Sequence, residues 1–329
     1  MQISVVIPTF NRAELLRKAV ASVLAQQGDH FEVVISDNCS SDDTPEVMAA
    51  FAVDPRVVVS RNASNLGMVG NWRKGIFELA RGEWFILMSD DDYLMDPDYL
   101  LKVAAAIDAH RPTFVYSGGI VHDTVAGTRE TVRPPFDGLV PGSQVFASRG
   151  TIHPQDVLLP SMVFRRNDAK RLGFLADPDN LSCDSELYLK LCAEGQVFVV
   201  PDPACVYVKH GANIIYKLKM TRRLLDHNLD YLVNSFAYAR ERTLPQDCLQ
   251  AFRRNAHLDH SIGSAFLRLR LHSEAWYREC RERVAAKIPD VVHDVESAAG
   301  YRAKRLLIAA AGPLLRARYP LEDLPAGTL

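Results

Sequence analysis

The stretch Trp84-Phe85-Ile86-Leu87-Met88-Ser89-Asp90-Asp91-Asp92 limits what this chain can fold into more than any other. Five apolar residues run without a polar break, the pattern of a strand covered on both faces by other elements. Three aspartates follow at once. In open α/β sheets the carboxyl end of such a strand is the edge where ligands bind. Three adjacent carboxylates repel one another, so positive charge should sit among them. All-oxygen donors suit a hard divalent cation, Mg²⁺ or Mn²⁺, which also takes water and phosphate oxygens. The plainer alternative is a solvated acidic turn capping the next helix.

The rest of the first half supports a layered α/β fold with a mostly parallel central sheet flanked by helices. Ile3–Ile7 predicts a strand that stops at Pro8, and Arg12–Gln27 carries an apolar stripe at helical spacing. Phe31–Ser36 predicts a second strand ending in Asp37-Asn38. Ser40-Ser41-Asp42-Asp43-Thr44-Pro45 then offers capping residues for a helix to about Ala52, before a strand at Val57–Val59. Strand, helix and strand at this spacing imply right-handed crossovers. Arg61–Asn71 reads as a loop, Trp72–Arg81 and Pro97–His110 as helices, and Phe114–Ser117 as a strand. Residues from Asp123 to Ile152 read as long loops with short edge strands. Ser182–Gly195 reads as a helix, and Gln196–Val200 and Val206–Asn213 as separate strands parted by Pro201 and Pro203. From Lys217 on, amphipathic helices fill the chain, with breaks near Pro245, Pro289 and Gly312-Pro313. The expected domains are 1–215, an α/β domain, and 216–329, a C-terminal α-helical extension.

Charge divides along the same line. Residues 1–214 hold 19 Lys and Arg against 27 Asp and Glu, and the remainder 19 against 13, within an overall −2. An acidic sheet half, and a basic half without interleaved aromatics, argue against nucleic acid as partner. Six scattered cysteines form no CxxC pair, so neither a zinc site nor a redox motif is indicated, and free thiols in the cytoplasm are expected. The N-terminus shows no signal-peptide pattern. Leu306–Leu315 is too short an apolar run to span a bilayer.

Polar clusters fall at the ends of expected strands: Thr9-Phe10-Asn11-Arg12, Asp37-Asn38, Asp90-Asp91-Asp92 and His210. Parallel strands carry the first three to one rim. Asp37 suits a hydrogen bond from a nucleobase N–H or, equally, the capping of its own turn. Asn65 and Gly67 precede the helix leading to the acidic strand, so their loop should line the same pocket. Asp184 and Glu186 open a helix, as partners of its dipole or as a general base. His210 is an ordinary histidine unless the acidic loop lies near, when it becomes a metal ligand.

In order, VVIPTFNR, VVISDNCSSDDT, NLGMVGNW, RGEWFILMSDDD, SCDSELYLKLCAEG and YVKHGAN resemble the family 2 glycosyltransferases of GT-A fold. The resemblance covers about residues 1–214, and the NLGMVGNW variant is similar to transferases of bacterial O-antigen and surface-polysaccharide synthesis. It implies an inverting, metal-dependent transfer from a nucleoside diphosphate sugar to a glycan or polyprenyl-linked hydroxyl. UDP or dTDP sugars are expected before GDP or CDP sugars. It implies that Pro8, Thr9, Phe10, Asn11 and Arg12 border the nucleotide, that Asp37 and Asn38 face the base, and that Asn65, Gly67 and Asn71 lie toward ribose and diphosphate. Asp90 and Asp91 would join the nucleotide side, Asp92 and His210 would hold Mn²⁺ or Mg²⁺, and Asp184 would be the catalytic base. Cys183 stands where the family commonly has an acid.

Two other functions are open: a sugar nucleotidyltransferase, whose Gly-rich first loop is missing here, and a non-catalytic nucleotide-sugar-binding protein. The basic C-terminal helices could close the acceptor site, form a homo-oligomer or touch the inner membrane face. Arg302, Lys304 and Arg305 before Leu306–Leu315, and Arg316 and Arg318 after it, suit a peripheral membrane contact or a helix packed on its own domain.

Overall fold

A computed structural model describes residues 2–151, 157–178, 180–211, 213 and 221–321. Within them the chain forms two compact units. The first comprises Met1–Val145, Ile152–Pro178 and Glu194–Lys217, and the second Phe146–Thr151, Asp179–Ala193 and Leu218–Leu329. The sequence places residues 1–215 in one domain; the structure groups the 179–193 segment with the C-terminal helices. The expected boundary between 215 and 216 lies outside the described residues.

The first unit is built on a ten-stranded sheet. Its strands are β1 (Ile3–Thr9), β2 (Phe31–Asp37), β3 (Val57–Arg61), β4 (Trp84–Leu87), β5 (Tyr93–Leu94), β6 (Phe114–Asp123), β7 (Thr128–Val132), β8 (Gly138–Pro141), β9 (Val163–Arg165) and β10 (Gln196–Lys209). They lie in the order β3-β2-β1-β4-β9-β6-β10-β5, with β7 beside β6 and β8 beside β10. β3, β2, β1 and β4 are parallel, with helices α1 (Ala13–Leu24), α2 (Thr44–Phe51) and α3 (Gly67–Lys74) in the crossovers. α4 (Tyr99–His110), α5 (Gly142–Ala147) and α6 (Arg166–Arg171) follow. β9 pairs antiparallel with both β4 and β6, and two reversals restore the direction. β6 and its parallel neighbour β10 therefore run with β4, and their carboxyl ends share its rim.

β1, β2 and β4 are buried at every position, as uninterrupted Val, Ile and Phe runs require. Their packing carries two buried acids, Glu32 and Asp37, both on β2. Glu32 on β2 accepts from the Ser4 hydroxyl at 2.6 Å and from the backbone N–H groups of Arg81 at 2.6 Å and Gly82 at 3.3 Å. That carboxylate sets where the chain enters β4. A methyl on Gly82 would lie 2.7 Å from the Gln2 carbonyl oxygen, so only glycine fits this approach.

Three sequence expectations are corrected here. The helix before β4 begins at Gly67, not Trp72, and ends in a π turn over Gly75–Leu79. Strand β10 is continuous through Pro201 and Pro203, with a register shift between Val200 and Cys205 that absorbs the two missing donors. The expected strand at Phe114–Ser117 extends to Asp123. The loop-rich region does hold the short edge strands β7 and β8.

The second unit is helical: α7 (Cys183–Cys192), α8 (Arg222–Glu241), α9 (Gln246–Asn255), α10 (Leu258–His272), α11 (Glu274–Ala285), α12 (Pro289–Ser297) and α13 (Ala299–Arg318). Breaks fall near Pro245 and Pro289 as expected, but α13 runs through Gly312-Pro313. Thr221 and Ser273 cap α8 and α11 through their hydroxyl oxygens. Arg283 joins α11 to α8 through Asp226 at 2.9 Å and Asp230 at 3.1 Å. All six cysteines are free.

Glu32→Ala would take the acceptor from the Arg81 N–H and the buried Ser4 hydroxyl, while the Gly82 N–H keeps Ser4 Oγ at 2.8 Å, and should cost about 1–3 kcal/mol in urea unfolding, with Glu32→Gln much milder. A wild-type midpoint for the alanine variant would contradict this role.

Candidate nucleotide-sugar site

The carboxyl rim of the first unit gathers the polar ends of β1, β2, β4 and β10. β4 stops at Leu87, and the chain turns through Ser89 so that Asp90, Asp91 and Asp92 are all buried, at 4%, 7% and 1% exposure. Each acid has its own set of partners. Asp90 accepts from the Thr9 hydroxyl at 2.7 Å and from Arg12 Nη1 at 2.9 Å. The same Arg12 nitrogen reaches Asp91 Oδ2 at 3.0 Å. That oxygen also lies 3.0 Å from His210 Nε2 and accepts from Asn213 Nδ2 at 3.0 Å. Asp92 turns inward, where its Oδ1 accepts from the Val208 N–H at 2.8 Å and its Oδ2 is buried without a partner. Burial raises the Asp90 carboxyl above its ordinary range, while Arg12 and Thr9 pull it back. Burial and the neighbouring Asp91 raise Asp92 well above it.

The positive charge that the sequence demands is thus supplied by Arg12, from the loop after β1, and His210, after β10, adds an imidazole nitrogen. His210 meets Asp91, and Asp92 faces β10. Asp91 Oδ2 is thus shared by Arg12, His210 and Asn213. Among the described residues no three His, Cys, Asp or Glu side chains form a closed ligand set.

Asp37 is fully buried. It accepts from the Ser40 N–H at 3.0 Å and the Ser40 hydroxyl at 2.5 Å, and lies 3.4 Å from Arg61 Nε. These are the turn-capping bonds that were the alternative to a base contact. Asn11, at φ +54, donates its N–H to Ser40 Oγ and accepts from the Ser41 N–H, so it fastens the β1 loop to the β2 loop. Pro8 lies within β1, while the Phe10 ring is 43% exposed.

The next loop is held by asparagines. Asn38 donates to Asn65 Oδ1 at 2.8 Å and to the Gly67 carbonyl at 3.1 Å, and accepts from the Leu66 N–H and Asn62. Asn71 exchanges bonds with Ser36 and accepts from Asn62. Asn62 and Asn213 were not singled out from the sequence. Asn213 had a signal, the third position after His210, where its side-chain Oδ1 accepts the His210 N–H and its own N–H donates to the His210 carbonyl, closing a turn. Gly67, at φ +75, has open space where a side chain would stand.

Asp184 and Glu186 belong to the second unit. Glu186 is tied to Lys190 at 2.5 Å and to Asn234 Nδ2 at 3.2 Å. Asp184 has no side-chain hydrogen-bond partner among the described residues, and burial raises its carboxyl above the ordinary range, moderated by backbone N–H groups and by Arg149.

Residues 4–169 match the family described as Glycosyl transferase family 2. A PGL/p-HBAD biosynthesis glycosyltransferase of Mycobacterium bovis is 32% identical over 120 residues, 36% of this chain and 46% of that protein. An uncharacterized protein of Mycobacterium tuberculosis is 27% identical over 67% of this chain and 62% of its own length. The chain thus spans about half the length of the first of these curated relatives. Among solved structures, S. aureus TarS 1–349 in complex with UDP aligns with TM-score 0.62 at 15% identity, over 97% of this chain and 92% of that one. The mannosyltransferase PcManGT from Pyrobaculum calidifontis, in complex with GDP-Man and Mn²⁺, aligns with TM-score 0.55 at 17% identity over 97% and 87%. At these identities the likeness is one of fold, the GT-A arrangement of a central sheet flanked by helices.

Arg12→Ala removes the guanidinium from Asp90 and Asp91 and should cost about 1–2 kcal/mol near neutral pH. The deficit should vanish in acid, where protonated carboxyls no longer need the cation. Urea unfolding across pH checks this; a deficit equal at both ends would contradict it.

Proposed function

The chain belongs to glycosyl transferase family 2, and on that premise we propose that it is an inverting, cation-assisted transferase moving a sugar from a nucleoside diphosphate to a hydroxyl of a glycan or lipid-linked acceptor. The observation that carries the reading is the meeting of Arg12, Asp90, Asp91, His210 and Asn213 at the carboxyl rim of one sheet. A rim with two buried carboxylates, one guanidinium and one imidazole suits a ligand that brings both a metal ion and negative charge. The diphosphate of a nucleotide sugar is such a ligand. TarS with UDP and UDP-GlcNAc, and PcManGT with GDP-Man and Mn²⁺, support the same donor class. Uridine and thymidine diphosphate sugars are the first donors to try, for an acceptor in bacterial surface-polysaccharide synthesis.

Asp91 and His210 would hold the divalent cation, with Asn213 fixing the Asp91 oxygen. When bound, that ion acts as a Lewis acid on the departing diphosphate. Arg12 adds a fixed positive charge beside it. Asp90, oriented by Thr9, accepts from a ribose hydroxyl. Phe10 offers an uncovered ring for the base, and Gly67 leaves room for the ribose–diphosphate side. Asp37, Asn38 and Asn71 hold these loops in place. Asp184 takes the acceptor proton as the acceptor oxygen bonds to the anomeric carbon and the carbon–oxygen bond to diphosphate breaks on the opposite face. One base and one displacement give inversion. Asp184 is favoured over Glu186 because Glu186 is already spent on Lys190 and Asn234.

Proton NMR of the first product should show inverted anomeric configuration; retention would overturn the mechanism. Asp184→Asn should lower kcat by about 10²–10⁴-fold with donor KM little changed. Because Asp184 must be ionised to act and its carboxyl lies above the ordinary range, wild-type kcat should fall as pH drops through that raised value. Glu186→Gln should keep this acid limb, and a lost limb there would move the base to Glu186. Thermal shifts with nucleoside diphosphates and Mn²⁺ rank the donor base, since stabilisation follows ligand concentration over Kd.

A further inference from the structure

Helix α13 presents two unlike faces. Inward, Tyr301 is 7% exposed and Gly312 is buried, where the helix packs on α10 and α12. Outward, Leu306 is 72%, Leu307 61% and Leu314 80% exposed. At about 100° per residue, Ala303, Leu306, Leu307, Ala310, Leu314 and Ala317 fall within one sector of roughly 100°, and all six are exposed. Arg302 borders this sector on one side, and Lys304 and Arg318 on the other. The 20 residues of α13 contain five Lys and Arg and no Asp or Glu. Among the described residues no carboxylate pairs with Arg302, Lys304 or Arg305, whereas α8, α10, α11 and α12 each have arginines or acids in ion pairs. An exposed leucine stripe costs a chain solubility when it faces only water.

We propose that the outer face of α13 is an in-plane docking surface for an anionic lipid bilayer. The stripe would sink its leucines to the acyl boundary while flanking Arg and Lys reach lipid phosphates, as long basic side chains do at such interfaces. Charge selects this occupant over a second copy of the chain. A symmetric pairing of α13 with itself would set five cations against five without one carboxylate on the helix. Five charges also bar the helix from crossing, and among the described residues no helix is long and apolar enough to do so. The surface is independent of the sugar-transfer reading, and its failure leaves that reading untouched.

The test is cosedimentation of the full chain with phosphatidylcholine vesicles, with and without about one-quarter phosphatidylglycerol, at low and high salt. Wild type should bind the anionic vesicles, release in high salt, and leave the neutral ones largely alone. Leu306→Glu with Leu314→Glu should weaken binding about tenfold or more with the melting temperature unchanged, since neither side chain is in the core. Arg302→Glu with Lys304→Glu should do the same while leaving donor hydrolysis in solution unaltered. Equal binding by all three proteins would overturn the proposal. So would absent vesicle binding, whether the wild type is a monomer or a dimer that the leucine variant splits; the second result would assign the stripe to another copy.

Discussion

Arg12 reaches from the end of β1 to two carboxylates at the end of β4, 2.9 and 3.0 Å away. Much of the first unit depends on that contact. A buried strand that ends in three acids must either expose them or bring cations and N–H donors to them, because unpaired buried charge is among the costliest features a fold can carry. Here the rim is assembled from segments far apart in sequence: Thr9 and Arg12, His210 and Asn213, and the backbone of Val208. Parallel β1 and β4, and β10 restored to the same direction by two reversals around β9, are what let those segments meet. The topology is therefore also an electrostatic solution. The same arrangement concentrates preorganised charge at one rim of the sheet.

Around that centre the loops are stiffened rather than left open. Asp37 closes its turn on Ser40, Asn11 straps the first loop to the second, and Asn38, Asn62, Asn65 and Asn71 interlock above β2. Lys74 joins the same group through Asn62 at 2.7 Å. Few of these side chains are free to bind anything themselves. Their bonds hold Phe10 and Gly67 at the surface. Asp37, Asn38 and Asn71 each take part in these loop bonds.

How far the sequence could be read follows from where each constraint lies. β1, β2, β4, α1 and α4 were legible because apolar runs and helical stripes are local signals. The need for positive charge beside Asp90–Asp92 was legible from Coulomb repulsion alone, and Arg12 and His210 were already in view. The pairing of His210 with Asp91 rather than Asp92 was not, because it depends on which way the turn after Leu87 points each carboxylate, and that is set by the Val208 N–H across the sheet. Pro201 and Pro203 read as a strand break, yet β6 supplies a partner on both sides of an irregularity that sequence cannot show. Gly67 read as loop because its positive φ hides a helix start. The grouping of α7 with the C-terminal helices rests on side chains such as Glu186 and Asn234, 48 residues apart. On α13 one face packs on α10 and α12 and the other is exposed.

The central claim is that Asp91 and His210 form the protein half of a cation site that a nucleoside diphosphate completes. It is tested most directly by NMR of the chain carrying ¹⁵N-labelled histidine, titrated with Mn²⁺ and uridine diphosphate. The account predicts paramagnetic broadening of the His210 ring nitrogens, strongest with both ligands present and absent in Asp91→Asn. Broadening that leaves His210 sharp, or that persists unchanged in Asp91→Asn, would contradict it.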